Sequence, residues 1–142
     1  MKGGRSVGNE EEASIQSTLT RSKFFTSLGF ELGDDSVERQ LLLTVREDHL
    51  NLNGTIHGGV IATMHDNIAG MIVRFETNLN CVTVDLSIHY VKPAFQGEDL
   101  CATGTIINEG RKIVMVDSFI RTMDGALISR STATLKVLYP SS

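Results

Sequence analysis

One amphipathic segment, residues 59–76, most constrains how this chain can fold. Its apolar side chains recur at the 3.6-residue period of an α-helix. They are Ile61, Met64, Ile68, Ile72 and Phe75. The sequence therefore predicts one long helix, and a second layer of secondary structure must cover its apolar stripe.

Four strand-like segments after the helix can supply that layer. In the first, apolar residues alternate with polar ones, which is typical of a half-buried strand. Its apolar residues are Val82, Val84, Leu86, Ile88 and Tyr90. The other strands are expected over residues 100–107, 112–121 and 127–138, and the last should place Ser129, Ser131 and Leu135 on one face.

Two further elements are expected before the long helix. Residues 14–28 fit a short helix with Ile15, Leu19 and Phe24 or Phe25 inward, and residues 39–46 fit a strand. The order of elements predicts an α+β fold in which one helix lies against an antiparallel sheet.

Length and composition favour one domain. A chain of 142 residues with 41% hydrophobic residues can bury a core, so we expect a single domain over residues 14–142. The composition of residues 1–13 predicts a flexible tail before it. A net charge of -4 argues against a nucleic-acid binder. No segment resembles a signal peptide or a membrane span, so a cytoplasmic protein without membrane insertion is expected. Cys81 and Cys101 have no metal-ligand spacing, which predicts no metal; reduced thiols are the simpler interpretation, and one disulfide between them is the alternative.

An acidic residue interrupts the pattern of the long helix. Asp66 lies away from the apolar stripe, on a face with Ala62, Ala69, Gly70 and Val73. Small apolar residues on a second face predict that another surface packs there, and a carboxylate so desolvated is costly unless it is paired or functional. The alternative is an acid satisfied by a neighbouring hydroxyl or amide, such as Thr63 or Asn67.

A second motif lies directly before the helix: Asn51, then His57-Gly58-Gly59. Two glycines at a helix start allow close approach of a ligand and leave N–H groups that can hold a carbonyl oxygen or an oxyanion. The alternative is a loop-to-helix turn that needs glycine only for its flexibility.

These residues together resemble a family. The string from Asn51 to Gly59, with Asp66 and then Val82-Thr83-Val84-Asp85, is similar to the PaaI-type hotdog thioesterases, and closest to their acyl-CoA thioesterase 13 branch. The similarity covers about residues 22–136. It implies the hotdog fold, in which an antiparallel sheet wraps around one long central helix, and hydrolysis of acyl- or aryl-CoA thioesters without any cofactor other than the coenzyme A of the substrate.

The resemblance also implies roles for individual residues. The Gly58 N–H and the Asn51 amide would polarise the thioester carbonyl, and His57 would hold the Asn51 loop. Asp66 would activate the attacking water or attack directly, and Thr83 would help to position the water.

Binding of coenzyme A needs positive charge, because its phosphates must be held by an acidic protein. The candidates are Arg111, Lys112 and Lys136, although charged hairpin turns are also common simply because they are wet. The resemblance adds five residues to this binding set: Tyr90, Asn108, Glu109, Gly110 and Ile113.

The spacing of the motifs predicts a dimer independently of the family. Eight residues separate Gly58 from Asp66, so along one helix they lie about 12 Å apart. A base must reach a water that is itself about 3 Å from the carbonyl carbon. Two antiparallel helices from two subunits can meet this requirement, so we expect an obligate homodimer, and the resemblance implies a homotetramer.

Two other functions compete with this one. A hotdog enoyl-CoA hydratase or dehydratase would need a His paired with an acid, and a non-catalytic acyl-CoA-binding protein would gain nothing from a buried carboxylate beside an anionic ligand. A serine hydrolase is not expected, because Ser87 and Ser118 have no base pattern near them and His65 is expected to be structural.

Overall fold

The computed structural model describes residue 19, residues 21–33 and residues 39–141. The expected tail over residues 1–13 and the start of the domain at residue 14 lie outside these residues. The helices are α1 (Lys23–Leu28) and α2 (Gly58–Thr77), with a 3-10 turn over Glu47–His49. The strands are β1 (Glu31–Leu32), β2 (Gln40–Thr44), β3 (Asn80–Tyr90), β4 (Asp99–Glu109), β5 (Ile113–Thr122) and β6 (Leu127–Leu138).

The six strands form one antiparallel sheet in the order β1-β2-β4-β5-β6-β3. The long helix α2 packs against one face of this sheet, and its stripe residues Met64 and Ile68 have no exposed surface. Leu100, Val116 and Ala133 meet them from the sheet side of the core and are equally buried. The predicted α+β architecture, one long helix against an antiparallel sheet, is confirmed.

Helix α2 begins and ends within one residue of the predicted bounds, because both ends carry a capping residue. His57 is the N-cap, and its side chain accepts a hydrogen bond from the N–H of Gly59. Asn78 ends the helix in the left-handed conformation, with φ 56°.

Of the helix expected over residues 14–28, the structure describes residue 19 and residues 21–28, and α1 covers Lys23–Leu28 of these. Helix α1 begins after Ser22, whose hydroxyl accepts from the N–H of Phe25 at 3.2 Å, and Gly29 ends it with φ 82°. Of the two phenylalanines, Phe25 faces the core, whereas Phe24 is 63% exposed. Strand β1, a two-residue strand that pairs with β2, was not predicted from the sequence.

The predicted alternation along β3 is wrong at its start. Thr83 pairs with Leu135 of β6 and Asp85 pairs with Thr134, so Val84 is an extra residue in a β-bulge. A bulge reverses the faces, and Thr83 therefore points toward α2 instead of away from it. Val82 and Val84, which were expected inside, are 47% and 60% exposed.

The small-residue face of α2 also differs from the prediction. Ala69 and Val73 are fully buried within this chain, so they need no second surface to cover them. Ala62 and Gly70 remain partly open beside the exposed Asp66. Within the described residues, no helix combines the length and apolarity needed to cross a membrane.

Candidate active site

The start of α2 presents one backbone N–H that is free to bind a ligand. The Gly59 N–H donates to Nδ1 of His57 at 2.9 Å, whereas the Gly58 N–H meets no acceptor among the described residues. Such a group at a helix N-terminus favours a negatively polarised oxygen. The Gly58 carbonyl accepts from the Tyr90 hydroxyl at 2.9 Å, and this bond ties the end of β3 to the start of α2.

His57 caps the helix and does not hold the Asn51 loop through its side chain. Its Nδ1 is used by Gly59, and its backbone N–H donates to the His49 carbonyl at 2.8 Å. The role expected for the His57 ring is therefore replaced by a structural one: it satisfies one N–H of the first turn and leaves that of Gly58 available.

Asn51 organises its own loop and faces the same opening as Gly58. Its Oδ1 accepts from the N–H groups of Asn53 and Thr55 at 2.9 and 3.1 Å, and its Nδ2 donates to the Thr55 hydroxyl at 3.1 Å. A cavity of about 320 Å³ is lined by Asn51, Gly58 and Tyr90, together with Thr55, Lys92 and apolar residues. The second hydrogen of the Asn51 amide is thus available beside the Gly58 N–H.

Asp66 and Thr83 form the other polar centre. The Thr83 hydroxyl donates to Oδ1 of Asp66 at 2.6 Å. Asp66 is exposed, so the desolvation expected from the sequence is not provided by the residues that the structure describes. The local partners considered above are wrong as well: Thr63 donates to the Gly59 carbonyl at 2.8 Å, and Nδ2 of Asn67 has no hydrogen-bond partner within the described residues.

A separate cavity of about 270 Å³ opens beside this pair. Asp66 and Thr83 lie at its edge, and it continues toward Arg74 and Asn80, whose side chains hydrogen-bond to each other at 3.1 Å. The pKa of the Cys81 thiol is raised by burial and, to a smaller extent, by the negative charge of Asp66. The carboxylate and the thiol therefore line one cavity and interact electrostatically.

Sequence reasoning missed several residues of this cavity. Asn67, Gly70 and Cys81 line it, and the buried Nδ2 of Asn67 has no acceptor within the described part of the chain. The position of Cys81 could not be predicted because of the bulge in β3. Strict alternation from Leu86 would place the Cys81 side chain on the opposite face of the sheet.

Gly58 and Asp66 are not brought together within one chain. They line two different cavities, and the rise of the intervening helix separates them by about 12 Å. Four of the predicted catalytic residues thus fall into two groups: Asn51 and Gly58 at the helix start, and Asp66 two turns later with Thr83 of β3.

The cationic residues form a third group at one end of the sheet. Arg111, Lys112 and Lys136 are exposed, and Lys136 is paired with Ile113 across β5 and β6. The turn is fixed by bonds from the Gly110 N–H to the Ile113 carbonyl and from the Val137 N–H to the Lys112 carbonyl, both 2.8 Å. A side chain at Gly110 would collide with the Ile113 carbonyl oxygen, so this position requires glycine.

The rest of the turn is equally open, since Asn108 and Glu109 are exposed. Tyr90 lies apart from this turn, although both belong to the predicted binding set. It pairs with Ser129, seven residues along β6 from Lys136, which is about 23 Å of strand.

One buried cluster also contradicts the sequence analysis. Ser118 was expected to lack a base, yet its hydroxyl lies 2.6 Å from Nδ1 of His65. Both residues have no exposed surface, so a substrate cannot reach this pair and it is not a hydrolase nucleophile. Within the residues that the structure describes, no group of His, Cys, Asp and Glu side chains is arranged to hold a metal ion.

Comparison with known proteins connects this geometry to one family. The sequence model of the Thioesterase superfamily matches residues 53–129. Acyl-coenzyme A thioesterase 13 of Homo sapiens is 34% identical over 94 residues, which are 65% of this chain and 67% of that protein.

Solved structures agree with this result. A hypothetical thioesterase protein from Streptococcus pneumoniae TIGR4, solved with coenzyme A, is 27% identical, with a TM-score of 0.74 over 82% of this chain and 93% of that one. The E. coli PaaI protein has a TM-score of 0.86 over 96% and 99% of the two chains, and at 18% identity it shows the shared hotdog fold alone.

Proposed function

The chain belongs to the Thioesterase superfamily, and on that premise we propose that it hydrolyses acyl- or aryl-CoA thioesters in a site built from two copies of the chain. The observation that carries the proposal is the Asp66–Thr83 pair, an exposed carboxylate oriented by a hydroxyl at 2.6 Å. It lies in a cavity of its own, away from the free N–H of Gly58.

At the carbonyl end, the thioester oxygen would accept hydrogen bonds from the Gly58 N–H and the Asn51 amide. Both donors line one cavity, and neither needs to break a helix hydrogen bond to bind a ligand. Donors held in place before the reaction stabilise the oxyanion that forms when a nucleophile adds to the carbonyl carbon.

At the water end, Thr83 occupies one carboxylate oxygen of Asp66 and leaves Oδ2 for water. The water oxygen bonds to the carbonyl carbon while its proton passes to Asp66, and the tetrahedral intermediate then collapses with loss of the coenzyme A thiolate. The proton held by Asp66 goes to that sulfur, so the cycle ends with a free acid, a free thiol and the starting carboxylate. Direct attack by Asp66 would instead give an anhydride that water opens.

The two ends require two subunits because one helix keeps them about 12 Å apart. An antiparallel pair of α2 helices would place Gly58 of one copy beside Asp66 of the other. The partly open positions Ala62 and Gly70 flank Asp66 and allow such an approach. A Cβ at Gly70 would meet no atom of the described residues within 4 Å, apart from the backbone of its own helix and its chain neighbours. We therefore propose a homodimer as the active unit, with pairing into a homotetramer as the expected assembly.

The substrate's phosphates would bind at the turn that carries Arg111 and Lys112, with Lys136 beside it. Coenzyme A in the Streptococcus pneumoniae thioesterase structure supports this ligand class for the present chain. In a two-subunit site, Tyr90 would act from the Gly58 side and the cationic turn from the other copy.

Thiol release from short, long and aromatic acyl-CoAs tests the reaction itself. Asp66→Asn should remove most turnover while acyl-CoA binding is retained. Asp117→Asn is the matched control, because Asp117 accepts from Thr132 at the same 2.6 Å, and its activity should be unchanged. Normal turnover in Asp66→Asn contradicts the role of Asp66. Binding without thiol release from any substrate would instead favour an acyl-CoA-binding protein.

Mixed dimers test whether the site is shared. Asp66→Asn and Asn51→Ala are each expected to be inactive, but a dimer with one copy of each contains one site that lacks both changes. Random mixing should then recover about one quarter of wild-type activity. No recovery in verified mixed dimers would show that each chain carries its whole site.

A further inference from the structure

A cluster of four polar side chains lies in the centre of the core, where the sheet faces α2. His65, Ser118 and Ser129 have no exposed surface, and Ser131 is 2% exposed. The ring of His65 bonds through Nδ1 to the Ser118 hydroxyl at 2.6 Å and through Nε2 to the Ser129 hydroxyl at 2.8 Å. The proposed reaction uses none of these residues, so their presence in the core needs another explanation.

The donor and the acceptor of each hydrogen bond in the cluster can be assigned. The Ser129 hydroxyl donates to the His89 carbonyl at 2.9 Å, which can only accept, so Ser129 must accept from Nε2 of His65. This places a hydrogen on Nε2, and because burial lowers the pKa of His65 the ring is neutral, so Nδ1 accepts from Ser118. Ser118 in turn accepts from Ser131 at 2.7 Å. This assignment gives every ring nitrogen and hydroxyl of the cluster a partner.

The cluster connects α2 to two neighbouring strands of the sheet through the two ring nitrogens of His65. Ser118 belongs to β5 and Ser129 to β6, so the His65 ring is fixed to two strands at once. Asp66, the next residue of the helix, points about 100° away and accepts from Thr83 of β3. Two consecutive helix residues therefore bind three strands of the sheet by directional contacts.

Apolar contacts alone would hold the helix less specifically. Met64 and Ile68 pack on the same turns, but dispersion and burial have little directional preference, so they permit small rotations and shifts. A reacting carboxylate must be held to within about 0.5 Å of its productive position. Hydrogen bonds from a rigid ring to two strands restrict the rotation that moves the neighbouring carboxylate.

We infer that His65 is a positioning residue for the hydrolysis: its bonds to Ser118 and Ser129 set the rotation of α2 that places the Asp66 carboxylate on Thr83. The inference rests on the proposed function, since it assigns His65 an effect only through Asp66. It predicts a loss of kcat that can be separated from any loss of stability.

To separate an effect on kcat from an effect on stability, the experiment replaces all four polar side chains of the cluster instead of one. A single change leaves buried groups unpaired and destabilises the core, whereas replacing all partners by apolar groups of similar size can be neutral. We define the apolar-core variant as His65→Leu with Ser118→Ala, Ser129→Ala and Ser131→Ala. Its thermal midpoint should equal or exceed that of the wild type, while kcat falls between about 10- and 100-fold with KM unchanged.

Two further variants make the assignment specific. His65→Gln keeps one neutral donor and one acceptor and should retain more of kcat than the apolar-core variant. Ile68→Val is the packing control, because it removes one buried methylene without touching a hydrogen bond; it should lower stability and leave kcat unchanged. Introduced into the Asp66→Asn protein, the apolar-core changes should cause no further loss of kcat.

Full kcat in a folded apolar-core variant would overturn the inference while leaving the proposed function intact. So would an equal loss of kcat in Ile68→Val, because the effect would then follow packing. A further loss in the Asp66→Asn background would show that His65 does not act through Asp66. If Asp66→Asn itself retained full activity, the proposed function would fail first, and this inference would fail with it.

Discussion

Thr83 reaches Asp66 only because β3 contains a bulge one residue later. Thr83 faces α2 together with Leu135, its partner on β6, and its hydroxyl lies 2.6 Å from the carboxylate. With strict alternation from the apolar residues Leu86 and Ile88, Thr83 would point to the other face of the sheet. The extra residue Val84 shifts the alternation of side chains by one position, so that Thr83 faces α2. Bulges are known to reorient side chains next to functional sites in this way.

Removal of the Thr83 hydroxyl should therefore lower kcat. Thr83→Val keeps the shape and the β-branch but leaves Asp66 without its partner. A bond to a charged group contributes about 1.5–3 kcal/mol, which corresponds to a decrease of roughly 10- to 150-fold. Thr83→Ser should keep most activity, and Thr132→Val removes the equivalent bond to Asp117 as a control. Steady-state thiol release measures all three, and unchanged kcat in Thr83→Val would remove the hydroxyl from the mechanism.

Asn51 contributes to the loop through its oxygen and to the proposed oxyanion site through its nitrogen. Asn51→Ala should lose about 2.7–4 kcal/mol of transition-state stabilisation if the amide acts as one oxyanion donor. Asn51→Asp retains the acceptor for the N–H groups of Asn53 and Thr55 but has no donor. It should keep the thermal midpoint of the wild type and still lose activity; an active Asn51→Asp enzyme would contradict the donor role.

Burial of His65 should make stability depend on pH. Burial lowers its pKa from 6.5 to about 4. Between these values the unfolded chain binds a proton that the folded chain does not, so stability rises with pH across this window and is complete above about 6.5. The contribution lost at low pH is about 3 kcal/mol. Urea unfolding of the wild type from pH 4 to 7 should show the free energy of unfolding rising with pH. In the apolar-core variant, which lacks His65, this rise should be smaller by the His65 contribution.

The cationic turn should affect substrate binding more than chemistry. Replacement of Arg111, Lys112 and Lys136 by alanine is expected to raise KM for acyl-CoA, with kcat unchanged, because the contact to phosphate is the same in the ground state and the transition state. The increase should shrink at high salt. Arg130→Ala, at a residue whose guanidinium lies 5.9 Å from the Phe119 ring, is the control for Arg111→Ala alone, because each removes one arginine charge. Equal KM values in the triple variant and the wild type would show that the phosphates bind elsewhere.

Local patterns were enough to predict the main elements from the sequence. The period of Ile61, Met64 and Ile68 defined α2, and its capping residues lie at the predicted ends. The family was also within reach of the sequence, because the motif from Asn51 to Gly59 and the acid Asp66 resemble those of the PaaI-type thioesterases, and the family match agrees with that resemblance. These features depend on residues close together in the chain.

What only the tertiary structure decided depends on residues far apart in the chain. The sequence could not place Ser118 on His65, 53 residues away, or turn Thr83 toward Asp66 through a bulge. Strand register and helix rotation follow from the packing of the whole core, which no local period encodes. For the same reason Ala69 and Val73, which the helical wheel placed beside Asp66, are buried by the chain's own sheet.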